Sequence, residues 1–343
     1  MNVNTQYAVD MMKKYLEIPS PSGYTMEAIK EVKKDFEEFG LETCITNKGA
    51  LIATMRGQDD EEHVMITAHI DTLGGMVKEI MPDGKLKYFR VGGGCWNAVE
   101  GENCTVITRH GKKIRGAIIP TVASSHVNGL KAYESKRDDA LMRVRLDEKV
   151  FNKEDVKALG INVGDFIVMD TRTEITDNGF IKTRYIDNKS AVGMVLEICR
   201  YMRENGMKPK NTTHFFISNY EECGHGVAGV PPKTKEVVAI DIGTVGPGQE
   251  SSEYAVSIAA RDNKTPYDFG FRNRLVNIAE ENDIDYKVDV YNSYSSDATQ
   301  LIHSSIDINF ACVGPGVDAT HHYERTHTDA IENTIKLLIN YLK

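Results

Sequence analysis

Histidine and carboxylate residues follow several short apolar segments of this chain. His69 ends the segment VMITAH, the pair Glu221 and Glu222 follows HFFISNY, and Asp241 follows VVAI. These segments predict strands, and open α/β sheets build their sites beyond the carboxyl ends of their strands. Imidazole and carboxylate groups gathered at one such edge are suited to holding divalent cations. The pattern therefore favours a hydrolase that uses two metal ions.

The Glu221–Glu222 pair is the strongest single signal. Two neighbouring carboxylates crowded into one site repel each other, and a cation between them removes that cost. One of them could ligate a metal while the other accepts a proton from a water molecule. The alternative is a solvated strand end with two charged side chains. The segment CGHGVAGV that follows favours a site, because glycine lets backbone and ligand approach closely.

The other candidates each have an ordinary structural interpretation as well. His69 and Asp71 form an H-x-D pattern in which the aspartate could orient a metal-binding imidazole, although a histidine in a satisfied hydrogen bond is the commoner case. Asp187 precedes a predicted helix, where a carboxylate is often only a cap, but it could also bridge two metals. Asp241 could be an exposed acid at a strand end. Their compatible positions carry more weight together than any one of them alone.

A histidine cluster near the C-terminus could complete the ligand set. The segment THHYERTH contains His321, His322 and His327, and one imidazole from it would give a mixed nitrogen and oxygen site suited to zinc, cobalt or manganese. The other two histidines would then be structural. Cys223 lies beside the glutamate pair, but no histidine can be assigned to activate it as a nucleophile.

The elements around these residues predict an α/β fold with an all-β insertion. Helices are expected through Leu16 and over 26–39, 190–204 and 331–342, and strand-like segments alternate with them. Thr265 and Pro266 are expected to begin a further helix, as its N-cap and first residue.

The insertion is expected where the texture of the sequence changes. Between residues 72 and 177, short alternating segments are punctuated by glycine and proline, as in small all-β units. We therefore predict a catalytic α/β domain made of residues 1–71 and 178–343, and a β-rich domain made of residues 72–177.

Composition narrows the classes of function. The chain has 343 residues, enough for two domains. Its net charge of −9 and lack of a long basic segment make nucleic acid and anionic membranes poor partners. None of its six cysteines forms a C-x-x-C pair, so a cysteine zinc site is not expected, and a reduced, cytoplasmic location is favoured. The polar N-terminus predicts a helix rather than a signal peptide, and no segment approaches about 18 apolar residues.

The ordered motifs resemble those of a known family. These motifs are AHIDTLG, the β-rich insertion, VGDFIVMD, YIDNKSAVG, NYEECGHGV, AIDIG and ENTIKLL. Together, over nearly the whole chain, they resemble the glutamyl aminopeptidase and tetrahedral aminopeptidase family of dinuclear metallopeptidases, peptidase family M42. The resemblance implies a zinc-exopeptidase-like mixed sheet flanked by helices, an inserted small all-β domain used in dimerisation, and a homo-oligomer such as a hollow dodecamer. It also implies two divalent ions per subunit, zinc or cobalt or else manganese, and short peptides as substrates that are trimmed from the amino end.

The resemblance further implies a role for each candidate residue. Asp187 matches the bridging aspartate, and His69 and Asp241 match the ligands of one metal. Glu222 and a C-terminal histidine match the ligands of the other metal, and His321 is the favoured histidine.

Two further residues match positions that act beside the metals in this family. Glu221 matches the general base that deprotonates a metal-bridging water, and Asp71 matches the aspartate that supports His69. Two departures from the family pattern stand out. Thr72 replaces a common acidic residue, and ATHHYERTH replaces a short H-S-like motif, so His322 and His327 stay open as alternatives for the last ligand.

Three other functions remain as alternatives. A related dinuclear amidohydrolase, such as an N-acyl amino acid deacylase, would need a blocked substrate amine where an aminopeptidase needs a free one. A glycosidase would use a carboxylate pair without an obligatory dinuclear metal. A non-catalytic binding protein would have a decayed site, which the presence of every ligand type disfavours.

Overall fold

The computed structural model describes residues 1–227 and 229–343 and divides the chain into two compact units. The first unit contains Met1–Thr72 and Arg172–Lys343, and the second contains Leu73–Thr171. None of the helices among the described residues is long and apolar enough to span a membrane.

The helices and strands follow one another in three stretches. The first stretch of the first unit contains α1 (Thr5–Leu16), α2 (Met26–Glu38), β1 (Glu42–Ile45), β2 (Leu51–Met55) and β3 (Asp59–His69). The second unit contains β4 (Gly74–Ile80), β5 (Leu86–Val91), β6 (Asn103–Ile107), β7 (Lys113–Pro120), α3 (Ser125–Asn128), α4 (Lys131–Glu134), β8 (Met142–Leu146), α5 (Lys153–Ala158) and β9 (Phe166–Met169). The first unit then resumes with β10 (Glu174–Ile175), β11 (Phe180–Thr183), α6 (Ile186–Glu204), β12 (Asn211–Ser218), β13 (Thr234–Ile240), β14 (Gly243–Val245), β15 (Val256–Arg261), α7 (Phe269–Glu281), β16 (Tyr286–Val290), α8 (Asp297–His303), β17 (Asn309–Asp318), β18 (Glu324–His327) and α9 (Thr328–Leu342).

The first unit is built on a mixed sheet. Its strand order is β1-β2-β12-β3-β13-β17-β18-β11-β10, with β14 and β15 paired to β17 and β16 paired to β15. The neighbours β12, β3, β13 and β17 run parallel. Their carboxyl ends therefore meet at one edge, and Ser218 at the end of β12 pairs directly with His69 at the end of β3. That is the edge at which the sequence predicts a site.

Helices with one apolar face cover this sheet. α6 is buried along almost its whole length and packs against α1, α9 and β3. Gly193 allows the close approach of α1, since a Cβ there would lie 2.3 Å from the carbonyl oxygen of Ala8. The mixed sheet with flanking helices confirms the predicted α/β fold class.

One predicted helix begins elsewhere. Pro266 pairs with Arg261 in an isolated antiparallel bridge, so Thr265 and Pro266 do not begin a helix. α7 begins after Asp268, whose carboxylate accepts a hydrogen bond of 2.6 Å from the backbone N–H of Phe271. Asp268 is therefore the N-cap, because its side chain satisfies an N–H that lacks a partner within the helix.

The second unit is a closed antiparallel barrel with strand order β4-β5-β8-β7-β6-β9. Buried and less buried residues alternate along β7, as the period-2 sequence pattern predicts. Tyr88 and Trp96 meet edge to face in its core, with their ring centroids 5.0 Å apart. The sequence predicted the β-rich character of this segment, but not the three short helices α3, α4 and α5 between its later strands.

Candidate metal centre

The predicted residues at the strand ends lie together in the first unit. His69 is the last residue of β3, Asp241 directly follows β13, and Glu221 and Glu222 begin a single 3-10 turn after β12. Because β12, β3 and β13 are neighbours and run parallel, the four side chains share one edge of the sheet.

Asp187 reaches the same edge from the start of α6. Tyr185 before the helix is left-handed, with φ of 69°, and Asp187 and Asn188 depart from helical dihedral angles, with a cis peptide bond between them. The side-chain amide of Asn188 donates a 2.7 Å hydrogen bond to the carbonyl oxygen of Ile240. This bond ties the first turn of α6 to the end of β13. Regular helical geometry begins after Asn188, close to the predicted start of the helix at residue 190.

The carboxylate of Asp187 lies between two histidines. Its Oδ1 is 3.0 Å from His69 Nε2, and its Oδ2 is 3.5 Å from His321 Nε2. Ligand atoms of His69, Asp187 and Asp241 all lie within 4.8 Å of one another, and so do those of Asp187, Glu222 and His321. Asp187 therefore belongs to both of the groups that could hold a metal ion.

The three C-terminal histidines have different surroundings. His321 lies beside the carboxylates, with its Nε2 3.5 Å from Glu222 Oε2. His322 Nδ1 accepts a hydrogen bond from the N–H of Tyr323. His327 caps α9, because its Nδ1 accepts a hydrogen bond from the N–H of Asp329, and its Nε2 lies 2.7 Å from the carbonyl oxygen of Asn178. The rings of His322 and His327 thus make local contacts away from the two groups.

Asp71 holds both His69 and the glutamate pair. It is completely buried, and its Oδ1 and Oδ2 accept the backbone N–H groups of Glu221 (3.1 Å) and Glu222 (3.2 Å). His69 Nδ1 lies 3.0 Å from the Asp71 carbonyl oxygen and 3.5 Å from its carboxylate. The carbonyl can only accept, so Nδ1 carries a proton, and Nε2, which faces Asp187, is the ring nitrogen that a metal ion could bind in place of a proton. The sequence predicted support of His69 but not the support of the glutamate backbone.

The site concentrates negative charge in a buried place. Burial raises the pKa of Glu221 and Asp241 well above the usual range and raises that of Glu222 to about 8. Burial also opposes ionisation of Asp187, but His321 and His69 outweigh it and lower the pKa of this carboxyl. Bound cations would favour the charged form of all four carboxylates, because an opposite charge within a few ångströms stabilises it.

The donor atoms fit such cations. Glu222 Oε1 is buried and has no hydrogen-bond partner among the residues that the structure describes. A buried carboxylate oxygen without a donor is costly, and a bound cation would offset that cost. Together with two imidazoles and further carboxylates, this oxygen makes the nitrogen and oxygen ligand set that zinc, cobalt and manganese accept.

Sequence reasoning missed the partners that hold these groups. Glu324 is buried, and its carboxylate accepts the backbone N–H groups of Asp187 (3.1 Å) and His321 (3.0 Å). Asp297 and Gln300 on α8 accept backbone N–H groups of the segment that follows Glu221, and Gln300 also donates to the Glu221 carboxylate. Glu324 lies inside the histidine cluster and could have been suspected there. Asp297 and Gln300 have no comparable signal, because they belong to a short helix far along the chain.

Comparison with known proteins agrees with this geometry. The family model described as M42 glutamyl aminopeptidase matches residues 49–337. YhfE of Bacillus subtilis (strain 168), whose assignment as an aminopeptidase is provisional, is 44% identical over 336 residues, which cover 98% of this chain and 97% of that protein.

Two solved structures have the same fold. The TET aminopeptidase of the marine sediment archaeon Thaumarchaeota archaeon SCGC AB-539-E09 superposes with a TM-score of 0.87 at 18% identity, covering 98% of this chain and 96% of that one. The Pyrococcus horikoshii TET1 peptidase, which can assemble into a tetrahedron or a large octahedral shell, superposes with a TM-score of 0.83 at 20% identity, covering 98% and 99%.

Proposed function

Because the chain belongs to the M42 glutamyl aminopeptidase family, we propose that it is a dinuclear metal-dependent aminopeptidase that removes N-terminal residues from short peptides. The observation that carries the proposal is the position of Asp187. One of its oxygens faces His69 and the other faces His321, which suits a carboxylate shared by two metal ions.

Two ligand groups follow from the shared aspartate. His69, Asp187 and Asp241 would hold one divalent ion, and Asp187, Glu222 and His321 would hold the other. Zinc, cobalt and manganese all suit these donors. When bound, such ions activate the attacking water and polarise the scissile carbonyl.

Glu221 moves the proton in this proposal. Its Oε2 lies 3.8 Å from His69 Nε2, so this oxygen faces the ligand group rather than solvent. The carboxylate accepts a proton from the attacking water and returns it to the leaving amine. Asp71 keeps Glu221 in place through the backbone N–H, and it keeps the neighbouring ligand Glu222 in place in the same way.

The proposal is tested by hydrolysis of a panel of aminoacyl-p-nitroanilides and short peptides. Protein treated with a chelator should lose activity and regain it with zinc, cobalt or manganese, and only substrates with a free amine should react. Reaction of N-acetylated substrates alone would instead establish a deacylase.

Glu221→Gln should keep two metal ions per chain and lose about 10²–10⁴-fold in kcat, the usual contribution of a general base. Full activity of that variant would remove Glu221 from this role.

We also propose that the protein forms a homo-oligomeric shell in which the second unit supplies contacts between subunits. That unit exposes large apolar side chains, which are costly to leave in water and often mark protein interfaces. They are Phe89, Val127, Leu130, Tyr133, Phe151 and Val163, which are 62–82% exposed. Size-exclusion chromatography with light scattering at micromolar concentration should find a closed assembly such as a dodecamer, and a monomer would contradict the proposal.

A further inference from the structure

We propose that Gln300 is a positioning residue that holds Glu221 in the orientation needed to accept a proton. This inference rests on the proposed function, because it presumes that Glu221 is the base. Gln300 lies on α8, which contributes none of the candidate ligands, and its side chain is partly buried. The assignment follows from the contacts made by the two ends of its side-chain amide.

The amide of Gln300 joins the two ends of the segment 221–226. Its Nε2 lies 3.2 Å from Glu221 Oε1 and 3.4 Å from the Glu221 carbonyl oxygen. Its Oε1 accepts the backbone N–H of Gly226 at 2.9 Å. A carboxylate can only accept and a backbone N–H can only donate, so these partners determine which way the amide faces.

The contact distinguishes the two oxygens of the Glu221 carboxylate. Oε1 is occupied by the amide of Gln300, whereas Oε2 points toward His69 Nε2 at 3.8 Å. A glutamate side chain that was free to rotate would spend only part of its time in this orientation, and such misplacement slows a reaction. The amide is also neutral, so it orients the base without neutralising it as a lysine would.

α8 is itself anchored beside the ligand strands. Asp297 lies one turn before Gln300, and its Oδ1 accepts the N–H of Val227 at 3.1 Å. Its Oδ2 accepts the hydroxyl groups of Thr67 in β3, at 3.2 Å, and of Ser218 at the end of β12. Because the helix is tied to the two strands that precede His69 and Glu221, Gln300 has a fixed base from which to orient the carboxylate.

Two variants separate the contact with Glu221 from the contact with Gly226. Gln300→Glu keeps an acceptor for the Gly226 N–H, but in its ionised form it loses the donor to Glu221 and places a second negative charge beside it. Gln300→Met loses both and keeps a side chain of similar length. We expect both variants to keep two zinc ions per chain and a KM within about twofold of wild type, while kcat falls about 10- to 100-fold, as for a small misplacement of a reacting group. Ser304→Ala, at the exposed residue directly after α8, is the control and should leave kcat unchanged, because among the described residues its hydroxyl donates only to the backbone carbonyl of Gln300.

A double-mutant cycle tests whether Gln300 acts through Glu221. Adding Gln300→Met to Glu221→Gln should cost little further activity, because the base that Gln300 orients is already absent. A purely structural role would instead lower the residual activity of Glu221→Gln by the same factor as in wild type, which would overturn the inference.

The outcomes also separate this inference from the proposed function. If wild-type protein shows no metal-restored hydrolysis, the proposed function fails and the inference fails with it. If wild type is active and Glu221→Gln is not, the proposed function stands, and a wild-type kcat in Gln300→Met would overturn the positioning role alone. Metal content and thermal unfolding of each variant establish that the loss in kcat does not come from misfolding.

Discussion

Glu324 holds the backbone of two candidate metal ligands with a single carboxylate. Its Oε2 accepts the N–H of Asp187 at 3.1 Å, its Oε1 accepts the N–H of His321 at 3.0 Å, and it is only 2% exposed. A glutamine has one oxygen and one NH₂ group at these positions, so it can satisfy only one of the two donors and must turn its own donor toward the other. We therefore predict that Glu324→Gln weakens metal binding although the side chains have the same shape.

The magnitude follows from the hydrogen bond that is lost. A buried donor left without an acceptor costs about 1–3 kcal/mol. If this cost falls on the ligand backbone, metal affinity drops about 5- to 150-fold, since 1.4 kcal/mol corresponds to a factor of ten. Loss of a negative charge near the cations acts in the same direction. Burial, and then Asp187, raise the pKa of Glu324 to about 8, so the comparison belongs at about pH 9, where roughly nine-tenths of the wild-type carboxyl is ionised.

The assay is a competition titration of zinc against a fluorescent chelator. The matched control is Glu253→Gln. It removes the charge of a glutamate whose Oε1 lies 3.1 Å from Nε of Arg325, and Arg325 directly follows Glu324. We expect the control to bind zinc within about twofold of wild type and Glu324→Gln to bind at least about fivefold more weakly. Wild-type affinity in Glu324→Gln, with unchanged thermal unfolding, would show that this clamp does not control the ligands.

Two further predictions concern packing and pH. In Gly226→Ala the new Cβ would lie 2.1 Å from Asp297 Oδ1, and such overpacking typically costs about 1–3 kcal/mol. Thermal unfolding should therefore occur at a lower temperature than in the control Gly246→Ala, whose Cβ meets nothing within 4 Å. Equal melting temperatures of the two variants would contradict this prediction. Burial, and then His63, lower the pKa of His214 to about 4, while the unfolded chain binds the proton near pH 6.5. The unfolded state therefore binds more protons than the folded state between these pH values, and the free energy of unfolding should fall from pH 6.5 toward pH 4 by up to about 3 kcal/mol. Urea titrations should show a smaller fall in His214→Asn than in wild type. An equal fall in both proteins would refute the assignment to His214.

The residues at the strand ends could be predicted because their signal is local. A polar residue directly after an apolar segment marks the end of a buried strand, and parallel strands bring such ends together. His69, Glu221, Glu222 and Asp241 were identified in this way, and the structure places them at one edge. Asp187 needed the family resemblance, because an acid at a helix start has a common alternative as a cap.

The residues that hold the site could not be predicted, because their signal is not local. Gln300 and Glu221 are separated by 79 positions, and Glu324 and Asp187 by 137. In each case at least one partner is fixed only by the folded backbone, such as the N–H of Asp187 or of Gly226, and every residue except proline has such a group. The prediction that α7 begins at Thr265 and Pro266 was wrong for a related reason. Pro266 pairs with Arg261, and Asp268 caps the helix instead.

The carboxylates of this site divide into two kinds that the sequence alone cannot separate. Both oxygens of Asp71, Asp297 and Glu324 accept hydrogen bonds from the chain, so these side chains are saturated and act as clamps. Glu222 keeps a buried oxygen without a donor among the described residues, and Asp187 turns its two oxygens toward two histidines. A count of acidic residues would therefore overestimate the ligands. The absence of a donor at a buried carboxylate oxygen is the better criterion, because a bound cation would compensate such an oxygen, as hydrogen bonds from the chain do at the clamps.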